Sequence, residues 1–413
     1  MNANLGDKFF PRLTPAAADC LRRLQRLASA RAAGLFLVGG SVRDLLMDRL
    51  NQDIDLALEG DAIGLAQEFA AEAGLDCLVH PAFHTATLRG EGFAFDLAMA
   101  RREFYPRPGA LPIVHPASII DDLGRRDFSI NALALPLNAE DAALIDPFQG
   151  QRDIEEGIVR VLHEQSFQDD ATRILRAVRY AHRLHFRIEE QTLSWLHRDV
   201  AYLQTISADR LRYDFIRLLE EDAPEAALQM LSDLGALAQL HPSLAFDGAL
   251  AAAFAKAREQ PVVEPSPSLY LALLASRLSP GQVHELAERL SLNKGQRQIV
   301  EGVARLHQRA ANFSPALSAA QIAEMLEPFP LEAIAAFALT TADATAASQS
   351  RHYLEVSRHL RTVLSGEDLL RLGVAPGPQV GKVLRELRSA RINGQVRSRD
   401  EEIALVRKLT SPG

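Results

Sequence analysis

The chain has 413 residues, 47% of them hydrophobic and 24% charged, and its formal net charge at pH 7 is −8. This composition is typical of an ordinary globular protein with roughly two to four domains, and the net charge argues against a uniformly basic nucleic-acid coat. The sequence lacks an apolar run of the about 18 residues that cross a membrane and lacks a signal-peptide pattern, and its two cysteines, Cys20 and Cys77, do not have a metal-ligand spacing. We therefore expect a cytoplasmic protein without a disulfide framework or a zinc site.

The stretch 35–58 carries the first chemical signal and reads LFLVGGSVRDLLMDRLNQDIDLAL. Its first four residues, Leu35–Val38, form an apolar run that predicts a buried strand. Gly39 and Gly40 follow, and glycine lets the backbone turn sharply and approach a ligand closely. A helix is expected next, so the stretch predicts a strand, a tight turn and a helix N-terminus, which together can bind an anion through backbone N–H groups.

The expected helix begins at Ser41, with Asp44 three residues later completing an approximate capping box. Arg43, in the first turn of this helix, carries a forked cation that is suited to phosphate. We therefore predict that Gly39, Gly40 and Arg43 belong to a phosphate-binding turn.

Carboxylates follow this turn. Asp53 and Asp55 lie in a predicted strand, and because side chains alternate along a strand they should point to the same face. Two such carboxylates repel each other unless a cation lies between them, and magnesium prefers oxygen ligands of this kind together with substrate phosphates. Asp96 lies in another strand candidate, 93–98, where it is either a third metal-side carboxylate or an isolated strand aspartate. The pattern predicts a metal-dependent site for nucleotide chemistry.

A proline-rich stretch comes before a cluster of charged residues. Residues 102–119 contain four prolines, so we predict a loop without regular structure, of the kind that is usually functional inside a catalytic domain. Arg125 and Arg126 come after it and can hold a triphosphate, while Asp127 and Asn131 can share hydrogen bonds with a ribose.

A predicted helix over 169–186 carries an acid followed by three arginines. At about 100° per residue, Asp170, Arg173, Arg176 and Arg179 lie along one side of this helix. Asp170 can accept a hydrogen bond from the exocyclic amine of cytosine or adenine while Arg173 donates to the ring acceptor beside it, whereas uracil and guanine place a carbonyl against the carboxylate. Arg176 and Arg179 would then bind phosphates or orient Asp170 and Arg173. The alternative is a surface helix with ion pairs between residues three positions apart.

Three strings, taken in order, resemble the motifs of the class II tRNA nucleotidyltransferases, the family of the CCA-adding enzymes, and of their poly(A) polymerase relatives. They are LVGGSVRD with the later DID, RRDFSINA, which is similar to RRDFTINA, and 169–180, which is similar to EDxxR followed by RLLRAxRF with an Asp for the Glu. The resemblance implies an α+β chain in which a polymerase-beta-like nucleotidyltransferase head with a mixed sheet precedes an all-α neck, body and tail. The expected bounds are 1–150 for the head, 151–245 for the neck, 246–365 for the body and 366–413 for the tail.

The same resemblance implies an enzyme that adds C and A residues to the 3′ end of tRNA from CTP and ATP without a nucleic-acid template. Asp53 and Asp55 would bind two magnesium ions, with Asp96 as a further catalytic carboxylate. Asp170 and Arg173 would form an amino-acid template for the base. The segment 366–394 resembles the tail in which family members hold the tRNA elbow.

Several activities stay open within this resemblance. Addition of the complete CCA sequence is the first interpretation, and addition of CC alone or of A alone is the second. A poly(A) polymerase and a catalytically silent tRNA-binding protein are further alternatives. The paired carboxylates argue against the silent protein, because a pure binder has no use for them.

Overall fold

The structure is a computed structural model that describes residues 5–49, 53–138 and 143–410. The chain forms two compact units, Met1–Asp214 and Phe215–Gly413. The expected division into head, neck, body and tail stays a prediction.

A six-stranded sheet forms the centre of the first unit, with the strand order β3-β4-β5-β2-β1-β8. The strands of this unit are β1 Leu35–Val38, β2 Asp53–Leu58, β3 Asp76–His80, β4 Thr85–Gly90, β5 Phe93–Met99, β6 Arg101–Phe104, β7 Ile113–Pro116, β8 Ala134–Pro136, β9 Ile158–Val159 and β10 Arg187–Ile188. Within the six-stranded sheet, β2 and β5 are parallel and the other neighbouring pairs are antiparallel. The sheet is therefore mixed, as the sequence predicted.

Ten helices begin in the described part of the first unit. They are α1 Leu5–Phe9, α2 Pro15–Ala30, α3 Gly40–Leu46, α4 Ala62–Ala73, α5 Ile119–Gly124, α6 Gly150–Glu156, α7 Ser166–Asp169, α8 Thr172–Leu184, α9 Glu190–Asp199 and α10 Ala208–Leu219. Helix α4 shows the usual signals, because the side chain of Asp61 caps its start and Gly74 ends it in a left-handed conformation.

One face of the sheet is buried against α2 and α4. Alternate residues of β2 and β5 point into this core, and residues of both helices meet them. The largest contributors are Ile54, Leu56, Phe95, Leu97, Leu21, Leu24, Leu65 and Phe69. Because side chains alternate, Asp55 and Asp96 project from the opposite face, where both remain exposed. The polar residues of the site therefore lie on the face of the sheet that the helical layer leaves open.

The segment 102–119 is not the irregular loop that its prolines suggested. Strands β6 and β7 pair antiparallel, from Arg101 opposite Pro116 to Phe104 opposite Ile113. Three of the four prolines lie between the two strands, and Pro116 is the last residue of β7, where a missing N–H costs little. The prediction was wrong because prolines were counted without regard to their positions in a hairpin.

The regular elements described between 220 and 410 in the second unit are all helical, as predicted. The α-helices are α11 Glu225–Asp233, α12 Ala236–Leu240, α13 Gly248–Glu259, α14 Pro267–Ala275, α15 Pro280–Arg289, α16 Lys294–Gln308, α17 Ala319–Leu326, α18 Leu331–Thr340, α19 Ala344–Glu355, α20 Gly366–Arg371, α21 Pro378–Ile392 and α22 Arg399–Thr410. The last three share a small core that includes Leu369, Leu387 and Val406. Among the helices of the described ranges, none is long and apolar enough to cross a membrane.

Candidate active site

The turn between β1 and α3 is built by Gly39. Its φ of +64° and ψ of −129° are accessible to glycine and strained for other residues. A Cβ at this position would overlap the guanidinium Nη1 of Arg126, so the turn also needs glycine for space. The backbone turn and the second arginine of the RRD string are thus packed directly against each other.

Ser41 does not cap α3, contrary to the sequence interpretation. The helix begins at Gly40 with Gly39 as its N-cap, and no side chain caps it. Instead the buried Ser41 Oγ accepts a hydrogen bond from the backbone N–H of Asp55 at 2.9 Å, and Asp44 pairs with Arg43. Both residues of the expected capping box therefore have other partners, a distant strand for Ser41 and the adjacent arginine for Asp44. Ser41 positions the strand that carries the carboxylates.

Gly39→Ala is expected to lower kcat/KM at least about tenfold and to destabilise the protein by about 1–3 kcal/mol, because it combines a strained backbone with displacement of Arg126. Gly74→Ala is the matched control, since Gly74 also has a positive φ of +68° but a Cβ there would meet nothing within 4 Å. Steady-state kinetics and thermal unfolding of both variants check this. Equal losses of activity in the two variants would contradict a functional role for the close packing of Gly39 against Arg126.

A cleft of about 690 Å³ brings most of the predicted residues together. Nine of them line it, namely Gly40, Asp55, Arg125, Arg126, Asp127, Asn131, Asp170, Arg173 and Arg176. Four others are not among its described lining residues: Gly39 forms the turn itself, Arg43 is buried in α3, Arg179 lies on a buried side of α8, and Asp96 lines a neighbouring cleft. The side chain of Asp53 lies outside the described part of the structure. The roles predicted for all fourteen residues stay predictions.

Asp55 and Asp96 lie side by side on parallel strands, since their Cα atoms are partners in the register of β2 and β5. Desolvation by the surrounding protein raises the pKa of Asp55; the charge of Arg126 opposes this effect and the Asp96 carboxylate adds to it. Asp96 accepts a hydrogen bond of 2.6 Å from the hydroxyl of Thr87. Asp53 begins β2, and its side chain lies outside the described part of the structure.

A second cleft, of about 480 Å³, adjoins the first and shares Asp55 and Arg126 with it. Its other lining residues include Asp96, Thr87 and His80, which come from three adjacent strands. Asp55 therefore stands between two clefts, one lined by arginines and the other by hydroxyl, imidazole and carboxylate groups.

The two adjacent arginines are held by a carboxylate that the sequence analysis did not single out. Asp122 is almost completely buried, and its two oxygens accept hydrogen bonds from Arg125 at 2.8 Å and from Arg126 at 2.9 Å. Burial acts to raise the pKa of Asp122, but the two guanidiniums lower it below its usual range. Arg125 also contacts Glu103 of the β6–β7 hairpin at 3.1 Å. The spacing of three and four residues from Asp122 was the signal for this interaction.

Asp127 and Asn131 form one hydrogen-bonded group with arginines from two helices. Asn131 donates to Asp127 at 2.9 Å and accepts from Arg43 at 2.6 Å, while Arg176 donates to Asp127 at 2.6 Å. Burial opposes ionisation of Asp127, but the charge of Arg176 and the hydrogen bond from Asn131 lower its pKa to about 2. The carboxylate is therefore ionised and fixed, and Arg43 acts on the cleft through Asn131.

The predicted template residues meet in the cleft, but Asp170 is not in the helix. It adopts an extended conformation between α7 and α8, and its Oδ1 accepts from the backbone N–H of Thr172 at 3.0 Å and from the hydroxyl at 2.7 Å. Arg173 is buried and donates to the carbonyl of Arg125 at 2.8 Å. Its Nη1 has no hydrogen-bond partner among the described residues. A buried donor of this kind needs an acceptor, which a base edge would supply.

Tyr180 is a further site residue that the sequence analysis missed. The guanidiniums of Arg43, Arg176 and Arg179 lie 5.2, 5.6 and 5.0 Å from the centre of its ring, and Phe128 packs edge-on against it. Cation–π attraction stabilises such an arrangement. The signal was the position of Tyr180 four residues after Arg176 on α8.

Comparison with known proteins decides the family. A family model described as the poly A polymerase head domain matches residues 35–160, and one described as the probable RNA and SrmB-binding site of polymerase A matches residues 185–247. An A-adding tRNA nucleotidyltransferase from Halalkalibacterium halodurans is 31% identical over 98% of this chain and 95% of its own length. This chain belongs to the class II tRNA nucleotidyltransferases. The predicted family and the prediction of a nucleotidyltransferase enzyme are thereby confirmed.

The names of the relatives of this nucleotidyltransferase specify different added nucleotides: A, CC or CCA. A CC-adding tRNA nucleotidyltransferase from Deinococcus radiodurans is 33% identical over 97% of this chain and 96% of its own length. A Thermotoga maritima CCA-adding enzyme complexed with tRNA matches with a TM-score of 0.78 at 28% identity, covering 99% of each chain. All three are named as tRNA nucleotidyltransferases or CCA-adding enzymes, and their names differ in the nucleotides that are added.

Proposed function

We propose that the chain transfers nucleotides from CTP or ATP to the 3′ end of tRNA without a nucleic-acid template. The observation that supports this most directly is a series of groups that line one cleft and are linked by contacts. The charge of Arg126 acts on Asp55, Asp122 joins Arg126 to Arg125, and the carbonyl of Arg125 accepts from Arg173, which lies near Asp170 in the chain. A nucleoside triphosphate would need groups of these kinds for its phosphates, its ribose and its base. The relative that is complexed with tRNA supports the choice of acceptor.

The middle of the cleft would hold the triphosphate and the ribose. Arg125 and Arg126 present charged N–H groups that Asp122 and the Gly39 turn keep in place, so they can orient phosphates with little loss of side-chain freedom. Asp127 and Asn131 lie fixed beside them and would hydrogen-bond the ribose hydroxyls.

The far end would select the base. Asp170 would accept from the amine of cytosine or adenine, and the unpaired Nη1 of Arg173 would donate to the neighbouring ring nitrogen. A carbonyl in the position of the amine would face the carboxylate without a donor between them. This arrangement can favour C and A over U and G without a nucleic-acid strand.

The reaction would take place at Asp55. The 3′ oxygen of the acceptor would attack the α-phosphorus and its proton would pass to solvent water. The bond between the α-phosphorus and the bridging oxygen would break, and pyrophosphate would leave with that oxygen. The second cleft, which shares Asp55 and Arg126 with the first, offers a path for the acceptor that is separate from that of the nucleotide.

Magnesium is the proposed cofactor. The described residues contain no cluster of three or more His, Cys, Asp or Glu arranged for a metal ion. Asp55 and Asp96 nevertheless fit a hard cation, because they are paired in register, exposed, and close enough for one charge to raise the pKa of the other. They would hold it together with Asp53. When bound, magnesium would neutralise phosphate charge and lower the pKa of the attacking hydroxyl.

Among the possible products, we favour addition of the terminal A, because relatives from three organisms are named for this activity and one of them, from Aquifex aeolicus, is 45% identical over 45% of this chain. Addition of the complete CCA sequence, the first interpretation of the sequence, is the second candidate and is favoured by the match to the CCA-adding enzyme structure. Addition of CC alone is a further candidate, since the CC-adding relative is 33% identical over almost the full length of both proteins. The proposed cytoplasmic location follows from a tRNA substrate, and the segment 366–394 is the proposed contact with the tRNA elbow.

Three tRNA transcripts, ending at the discriminator base, at C and at CC, test these proposals when each is incubated with CTP, ATP or both. We expect extension of the CC-ended transcript by ATP alone. Growth of all three transcripts to a CCA end would instead establish the second candidate, and extension that stops at CC would establish a CC-adding enzyme. Binding of tRNA without incorporation on any transcript would contradict the enzymatic proposal.

A further inference from the structure

Asp170 is held by an arginine that belongs to a different helix. Arg210, in the first turn of α10, places its Nη2 at 2.7 Å from Oδ2 of Asp170. The side chain of Arg210 is largely buried, and its Nη1 has no hydrogen-bond partner among the described residues. Arg210 itself lines the nucleotide cleft. The guanidinium of Arg210 therefore contacts the Asp170 carboxylate, which is proposed to bind the base.

The contacts of Asp170 fix the direction of its carboxylate. Thr172 donates two hydrogen bonds to Oδ1, and Arg210 donates to Oδ2. A carboxylate has about four lone-pair positions, so the three contacts leave one acceptor position for a ligand. Without Arg210, the side chain could rotate about Cβ–Cγ and present its oxygens to water, and a single acceptor direction would be lost.

The Asp170–Arg210 pair also separates two cavities. A side cavity of about 340 Å³ shares Asp170, Arg176 and Arg210 with the nucleotide cleft and extends toward Tyr213 and Asp214. The pair is thus part of the wall at the base end of the cleft. Shortening Arg210 would connect the cleft with the side cavity and admit water to the base edge.

We propose that Arg210 is a specificity-determining positioning residue, which keeps Asp170 aimed at the base amine and closes the base end of the cleft. This inference rests on the proposed function and deepens it. Arg210 acts mainly through Asp170, so its loss should affect the choice between nucleotides more than the handling of the triphosphate or of tRNA. Rejection of U and G depends on a fixed, dry carboxylate, because a mobile one can turn away from a base carbonyl or reach it through water.

The test compares Arg210→Ala, Arg210→Gln and Arg210→Lys with wild type, measuring kcat and KM for CTP, ATP, UTP and GTP on the three transcripts. We expect the ratio of kcat/KM for the preferred nucleotide over UTP and GTP to fall about tenfold or more in the Ala and Gln variants. Arg210→Lys should recover most of it, because an ammonium can still pair with Oδ2. Arg212→Ala is the matched control, since Arg212 lies on the same helix and pairs with the exposed Asp209 outside the cleft.

A uniform loss for all four nucleotides, or an unchanged ratio, would overturn the inference and leave Arg210 as a merely structural residue. Nucleotide binding without tRNA gives a second measurement: the preference for ATP or CTP over UTP in competition should weaken in Arg210→Ala while binding of inorganic triphosphate is unchanged. Failure of the proposed function would be seen in a different measurement, because the wild-type protein would then incorporate no nucleotide on any transcript. In that case an unaltered binding preference in Arg210→Ala would still refute the role of Arg210.

Discussion

Replacing Asp55 by Asn should reduce the rate of nucleotide incorporation by about a thousandfold while leaving tRNA affinity within about twofold of wild type. Asp55 is the carboxylate common to both clefts, and it is paired in register with Asp96. Stabilisation of phosphate charge by a bound metal is worth several kcal/mol, and each 1.4 kcal/mol corresponds to a factor of ten in rate. An amide keeps the shape of the side chain but cannot supply the charge that magnesium requires.

The same substitution should not lower stability. The pKa of Asp55 is raised by desolvation and by the Asp96 carboxylate, against the charges of Arg126 and Arg43, so the charged form is less favourable here than in water. Neutral Asn removes that cost, and the melting temperature of the metal-free protein should stay unchanged or rise. A drop of several degrees would show that Asp55 has a structural role instead.

Single-turnover incorporation on labelled tRNA and a filter-binding titration measure the two expected quantities. Asp76→Asn is the matched control, because Asp76 is also an exposed strand carboxylate of the same sheet but lies outside both clefts. Asp53→Ala is predicted from the sequence to abolish turnover as well. Incorporation by Asp55→Asn at more than about a tenth of the wild-type rate would refute the metal role of this residue.

The sequence was sufficient for the parts of the site that depend on neighbouring residues. The apolar run, the glycine pair and the alternation of Asp55 with buried neighbours are local, and each appears in the structure as expected. The register that places Asp96 opposite Asp55 was anticipated only as a possibility, because alternation gives the face of a strand but not its neighbour in the sheet.

Local rules failed where a polar side chain had a choice of partners. Asp170 was placed on the helix by periodicity, yet its carboxylate bonds the N–H and hydroxyl of Thr172 and holds the chain extended before the helix starts. Aspartate commonly competes with helical backbone in this way. Ser41 likewise had a tertiary partner, the N–H of Asp55, that a capping rule cannot foresee.

The spacing of residues along the sequence did not predict contacts between distant segments of the chain. Arg210 meets Asp170 across 40 residues of sequence, and Arg43 meets Asn131 across 88. Arg43 was predicted as a site residue from the sequence, but the partners of both arginines depend on how the strands and helices pack. The sequence therefore predicted which residue types surround the cleft better than it predicted which residues hold them in position.

Asp122→Asn should lower the free energy of unfolding of the first unit by about 3 kcal/mol and raise KM for the nucleotide at least about tenfold. Asp122 is the buried partner of both Arg125 and Arg126, and removing one member of a buried ion pair leaves the charge of the other uncompensated. Asn cannot accept equally from two guanidiniums, so the arginines would lose the orientation that a triphosphate requires. Arg125 keeps its contact with Glu103, which limits the loss.

The effect should depend on pH with a definite sign. Burial raises the pKa of Asp122, but Arg125 and Arg126 lower it below its usual range, so the stabilisation is fully present above the unfolded-state pKa of about 4. It is lost as the pH falls through the lower pKa of the folded state. Wild type and Asp122→Asn should therefore differ most near neutral pH and converge progressively below about pH 4.

Fluorescence of Trp195, the single tryptophan, follows unfolding of the first unit in urea because Trp195 lies in α9. Asp121→Asn is the control, since Asp121 is the exposed neighbour of Asp122 and, within the described ranges, its carboxylate accepts hydrogen bonds from Ser118 at the start of α5. A loss for Asp122→Asn no larger than that of the control would mean that the arginines are held by other groups. A loss of stability that persists unchanged at pH 3 would exclude ionisation of Asp122 as its cause, because the charge that pairs with the arginines is the quantity that acid removes.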